Sequence, residues 1–220
     1  METHRKRWNE QQKALRQALE TAQPEAKALF FSQHAMLHAT EVSSTGMASF
    51  DEELWQGLDD ETARRIPRNE THSIAWCLWH LARIEDVTMN LILAGSDQLF
   101  ECDGWSTHLK VDLRDTGNAM TPGEIATLSN AVDLAALRAY RSAVGRRTRQ
   151  IVGQLPQNDF KQKVDPAHLQ RVLDEGAVCE ASKGLLDYWG NLTFAGLLLM
   201  PPTRHNLVHL NEAIRLKKKG

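Results

Sequence analysis

The sequence predicts an all-α protein, a four-helix bundle with a long crossover and additional short helices. Apolar residues recur at spacings of three and four, the helical period. The periodic stretches that are long enough to span a bundle number four, near residues 24–44, 71–94, 130–155 and 203–217. Between the second and third lies a connection rich in Asp, Gly and Thr, residues 96–121, which suits a crossover at the end of a bundle. With 220 residues, of which 42% are hydrophobic, the chain can bury one substantial core. We therefore expect a single domain over 1–220, with an N-terminal extension helix within 1–23 and the bundle within 24–217.

Residues from about Arg5 to Ala22 are charged and glutamine-rich, with Leu15 and Leu19 one turn apart, and Pro24 ends this surface helix. The next helix starts from Pro24, a residue tolerated at a first helical position, and runs through Leu29, Phe30, Met36 and Leu37 to about Ser44, where Gly46 loosens the chain. A short helix is expected in the acidic stretch before Pro67. The strongest signal spans Thr71 to Ala94, where Ile74, Cys77, Leu78, Leu81, Ile84, Thr88 and Leu91 mark one buried stripe and Gly95 can terminate the helix. A long helix then begins at about Pro122 or Asn130 and reaches Leu155, with Leu134, Leu137, Val144, Thr148 and Ile151 inward and arginines 138, 141, 146, 147 and 149 outward. A short helix over 167–178 and an apolar turn or helix around Trp189 precede the last helix, 203–217, entered from Pro201 and Pro202.

Charge and cysteine usage exclude several roles. With 26 basic and 28 acidic residues the formal charge is -2, which offers no general attraction to nucleic acid or to an anionic membrane. The one basic cluster, Lys217 to Lys219, complements a helix C-terminus. Cys77, Cys102 and Cys179 form no Cys-x-x-Cys pair and are odd in number, so neither a disulfide framework nor a thiolate zinc knuckle is expected. The polar run Met1–Asn9 lacks the apolar core of a signal peptide, and Leu192–Met200 is too short to cross a bilayer. A cytoplasmic protein with no nucleic-acid or membrane partner is expected.

The residues with chemistry are histidines. In TRHNLVHLNEA, residues 203–213, His205 and His209 fall one helical turn apart, roughly 5–6 Å between Cβ atoms, so both imidazoles can face one ion. On spacing alone such a pair is more often a packing feature than a ligand pair. A metal shell also needs further donors. His80, in CLWHLARIED, sits on the flank of the buried stripe and is the best candidate, although a lone histidine there is more often a hydrogen-bonded core residue. His38, four after His34, is expected at the solvent, with a fourth ligand or a partner to a ligand as the alternative. Glu212, one turn after His209, reads as a surface glutamate that could instead orient an imidazole or serve as a base. Cys77, one turn before His80, could compete as a ligand but reads first as a small buried hydrophobe, Glu85 reads as the partner of Arg83 or Arg204, and Trp76, Trp79, Trp105 and Trp189 as core or pocket walls. His72 and His108 carry no assignment. There is no H-E-x-x-H, no E-x-x-H pair, no Walker loop and no G-x-S-x-G elbow.

The order of a histidine in H-L-A-R-I-E-D, a crossover containing DTGNAMT (115–121), a W-G-N-L-T stretch (189–193) and a final P-x-x-R-H-x-x-x-H from Pro201 to His209 resembles the DinB superfamily, over roughly residues 24–216. The resemblance implies a four-helix bundle in which one histidine of the second helix and the pair of the last helix bind zinc or nickel. On this chain those residues are His80, His205 and His209. Three protein ligands leave a coordination position open, the pattern of a catalytic site. The resemblance further implies an enzyme, a transferase using a low-molecular-weight thiol or a hydrolase, acting on a small electrophile. The other expectation is a non-catalytic, metal-stabilised stress-response bundle that acts through a protein partner. A homodimer suits either role.

Overall fold

A computed structural model describes residues 2–43, 46, 48–102 and 104–219. The described residues are helical, with one isolated β-bridge between Lys163 and Thr193. The helices are α1 (Glu2–Glu20), α2 (Ala26–Ala35), α3 (Thr40–Ser43), α4 (Phe50–Trp55), α5 (Asp60–Arg64), α6 (Ile74–Asp86), α7 (Trp105–Leu109), α8 (Pro122–Ala131), α9 (Leu134–Gln154), α10 (Pro166–Asp174), α11 (Gly184–Gly190), α12 (Phe194–Leu199) and α13 (Asn206–Lys217). Two π-helical segments, Val87–Ala94 and Met200–His205, extend α6 and lead into α13. None of the described helices is long and apolar enough to cross a membrane.

The centre of the molecule is α6. Serine 73 caps it by accepting a hydrogen bond from the Trp76 amide, and every residue from Ile74 to Asp86 is buried. The expected single stripe is therefore a helix buried on all sides, packed chiefly by α9 and α13. One apolar cluster surrounds its N-terminal half, with Trp79, Leu137, Tyr140 and Leu210. A second cluster surrounds the π-helical extension, with Leu15, Phe30, Phe160 and Leu197. Gly95 ends the extension at a φ of 62°, the left-handed conformation the sequence predicts there.

Several boundaries differ from the sequence reading. The second helix stops at Ala35, and a short helix follows at Thr40–Ser43; its expected end, Ser44, lies outside the described residues. The segment 122–155 is two helices, because Asp133 opens a new N-terminus by accepting from the Ala136 amide. The last helix is wound differently at its start. Pro202 has no amide to donate to the Leu198 carbonyl, which accepts the Thr203 hydroxyl at 2.9 Å instead, and Gln12 donates to the neighbouring Leu199 carbonyl at 3.0 Å. The arginine face of α9 is only partly solvated. Arg141 is buried, pairing with Asp51 at 3.0 Å and the Leu37 carbonyl at 2.8 Å, and Arg147 and Arg149 reach Asn90 and the Phe31 carbonyl. Among the terminal lysines, Lys217 donates to carbonyls at the end of α4, including Leu54 at 2.9 Å, and Lys219 pairs with Glu70.

The start of the crossover is tied to α6 by a buried ion pair. Arg83 bonds Asp86 at 3.2 Å, Tyr140 at 3.0 Å and the Arg114 carbonyl at 2.6 Å. Asp86 accepts the amides of Leu99 and Phe100, both at 2.9 Å. The loop carrying DTGNAMT is thus held against the helix that carries His80.

Candidate metal centre

His80 projects from α6, while His205 ends the π-helical segment and His209 lies one turn into α13. The structure brings the three together: one nitrogen from each ring lies within 4.8 Å of the others. The Nε2 atoms of His80 and His205 are 3.2 Å apart, and the three ring centroids are 4.6–5.0 Å apart. His80 is buried, whereas His205 and His209 keep partial exposure, which makes the α13 side the open edge of the group.

Hydrogen bonds fix which nitrogen is free in two of the rings, His80 and His209. The Nδ1–H of His80 donates to the Thr116 carbonyl at 2.6 Å, which leaves Nε2 as a bare lone pair. That contact depends on Gly117, whose φ is +76° and whose added Cβ would come within 2.5 Å of the Trp79 ring. Asp115 completes the turn by accepting the Gly117 amide at 2.6 Å. His209 donates its Nδ1–H to Glu212 Oε2 at 3.0 Å, so its Nε2 is also free. The other carboxylate oxygen, Oε1, accepts from His72 Nδ1 at 2.8 Å. Burial pushes the Glu212 carboxyl up, but the bonds from His209 and His72 outweigh it and hold the group well below the usual carboxylate range. Burial, reinforced by His209, brings His80 down to about 3, and burial with its histidine neighbours also lowers His205, so these two rings are neutral at neutral pH.

The donor set fits a metal ion. Bonds of about 2.0–2.1 Å from a tetrahedral ion put its ligand atoms roughly 3.3 Å apart, close to the separation of the two Nε2 atoms. Glu212 and Thr116 supply outer hydrogen bonds of the kind that would orient imidazoles around an ion. Trp76 adds a wall: its ring lies parallel to His80 at 4.6 Å and to His72 at 3.8 Å. Cys77 is buried beside Glu212, and burial together with that carboxylate raises its thiol well above the ordinary value, so it stays protonated.

A scan of family models matches residues 52–179 to the DinB superfamily, more than half of the chain. The chain belongs to the DinB superfamily. The matched span includes His80, Trp76 and the crossover, while His205 and His209 lie beyond it. No curated protein matches the chain. Histidine groups able to hold a metal ion and membership of this metal-binding family agree in type with the expected cofactor.

The sequence reading offers Glu212 as an imidazole-orienting group only second to a surface glutamate, and it misses His72, although His72, Trp76 and His80 follow one another at steps of four; His72 lies just before the Ser73 cap of α6 and still stacks on Trp76. His38 is buried instead of solvent-exposed. Glu85 pairs with neither Arg83 nor Arg204. Its carboxylate accepts from His34 Nε2 at 3.0 Å, His38 Nε2 at 3.1 Å, the Thr148 hydroxyl at 2.7 Å and the Asn206 amide at 2.5 Å. Burial pushes Glu85 up, but its histidine partners outweigh that and hold it well below its usual value.

Proposed function

We propose that this DinB protein is a divalent-metal-dependent enzyme whose ion, zinc or nickel, is held by His80, His205 and His209. The observation that carries the reading is the pair of opposed Nε2 atoms 3.2 Å apart, one of them bare because its ring proton is committed to Thr116. A three-histidine ion supplies Lewis acidity at an open position, where a water or a thiol can be activated near neutral pH.

The chain's own groups have definite tasks in this reading. Thr116 and Glu212 retain the Nδ1 protons of His80 and His209 and so fix both rings in the ligand tautomer. Trp76 covers the buried side of His80 and keeps water from that face. The partly exposed edge at His205 and His209 is the route by which a small electrophile, and a low-molecular-weight thiol if the reaction is a transfer, reaches the centre.

Elemental analysis of the purified chain beside His80→Ala, His205→Ala and His209→Ala tests the ligand set. About one equivalent of zinc or nickel lost in each variant is the expected result, and retention in all three refutes it. The metal-loaded protein is then assayed with glutathione, bacillithiol, mycothiol and water against a panel of small electrophiles. Turnover that disappears in His209→Ala supports the enzyme reading, and no turnover with any combination refutes it.

A further inference from the structure

Outside the triad, a second cluster of ligand-type side chains lies in the interior where α2, α6, α9 and the start of α13 meet. His34, His38 and Glu85 each offer an atom within 4.8 Å of the others, and all three residues are buried. The rings of His34 and His38 stack at 4.2 Å and present their Nε2 atoms to opposite oxygens of one carboxylate. Room for His38 comes from Gly145 on α9, where an added Cβ would lie 2.6 Å from the ring's Nδ1.

We propose that His34, His38 and Glu85 form a second metal site, which takes one divalent first-row transition ion on two imidazole nitrogens and a carboxylate. Three observations support it. The Nε2–carboxylate separations are 3.0 and 3.1 Å, and adjacent ligands on an octahedral ion with bonds of about 2.1 Å stand roughly 3.0 Å apart. A carboxylate buried this deeply needs a counter-charge, and the side chains bonded to it are two imidazoles, a hydroxyl and an amide. The nearby Arg141 does not supply that charge to Glu85, because its guanidinium is engaged by Asp51 and the Leu37 carbonyl.

Further oxygen donors stand at the same point. Thr148 Oγ1 is already 2.7 Å from the carboxylate. Asn206 Oδ1 is buried without a partner, and rotating that amide by half a turn exchanges its NH2 for this oxygen at the face of Glu85. Binding requires each imidazole to carry its single proton on Nδ1, a change of tautomer that releases no proton. The mixed nitrogen and oxygen donors distinguish this site from the all-nitrogen triad and suit a harder ion than the triad does.

The test uses the full chain, stripped with a chelator and titrated with cobalt(II). Two ions per wild-type chain are expected, one in His205→Ala and one in Glu85→Gln. Because Glu85→Gln removes a buried charge and could unfold the protein, anomalous scattering at the cobalt edge from wild-type crystals locates the ions without any substitution. A peak between His34, His38 and Glu85 sustains the proposal, even with no ion on the triad, a result that would instead overturn the function proposed above. A single ion on the triad with no peak beside Glu85 overturns the second site and leaves that function standing.

Discussion

Replacing Glu212 by glutamine isolates the contribution of an outer carboxylate to metal affinity. In the wild type both oxygens are occupied by ring N–H groups, His209 at 3.0 Å and His72 at 2.8 Å. A glutamine side chain is nearly isosteric but carries one acceptor, so its NH2 must face one of the two ring donors and its charge no longer strengthens the basicity of His209. Loss of such an oriented partner typically weakens metal binding by about 10–100-fold, or roughly 1.4–2.7 kcal/mol. Zinc competition against a chromophoric chelator at pH 7.5 measures this directly. His72→Phe is the control, since it keeps an aromatic ring on Trp76 and leaves Glu212 free to hold His209, and it should change affinity far less. A Glu212→Gln affinity within twofold of wild type, in a protein that still unfolds at the wild-type urea concentration, would refute the assignment of Glu212 as the group that orients His209.

The remaining predictions concern stability. In metal-free protein, folded His80 protonates only near about 3, whereas its unfolded counterpart does so near 6.5. Its stabilising contribution is therefore complete above pH 6.5 and is lost as pH falls toward 3, with about 1.5–2 kcal/mol gone by pH 5; urea midpoints between pH 7.5 and 5 should fall less steeply in His80→Gln. Gly117→Ala combines a positive φ with a contact of 2.5 Å to Trp79, so a loss of about 1–3 kcal/mol in urea unfolding is expected together with weaker zinc binding. An unchanged zinc affinity would mean that the Thr116 turn does not govern His80. Arg83→Met leaves Asp86 buried with only neutral donors, and a cost of about 3–5 kcal/mol is expected; a loss under 1 kcal/mol would show that the pair contributes little.

The sequence carried the fold class because its apolar spacing is strong and local. What it did not carry is whether α6 has a solvent side. Arg83, Glu85 and Asp86 look like solvent-facing residues near the end of a helix, and each is buried because a partner distant in sequence completes it: Tyr140 and the Arg114 carbonyl for Arg83, Thr148 and Asn206 for Glu85, Leu99 and Phe100 for Asp86. The histidines show the same limit. His205 and His209 are paired by local helix geometry, and their spacing is legible. The role of Thr116 lies in a backbone carbonyl, an atom every residue has, and only Gly117 hints that the chain must pass close there.

The two histidine groups are also joined by the chain itself. His205 faces His80, and the next residue, Asn206, bonds Glu85. A backbone rotation that moved His205 would therefore also strain Asn206 against a carboxylate that His34, His38 and Thr148 hold from three other directions. The π-helical winding at Met200–His205 sets this phase, because the proline pair interrupts the α-helical ladder one turn before His205. His205 thus owes its direction to a distortion on one side and a buried anchor on the other. Such double constraint is what a site needs if metal affinity is to come from preorganisation instead of from rings that gather only when an ion arrives.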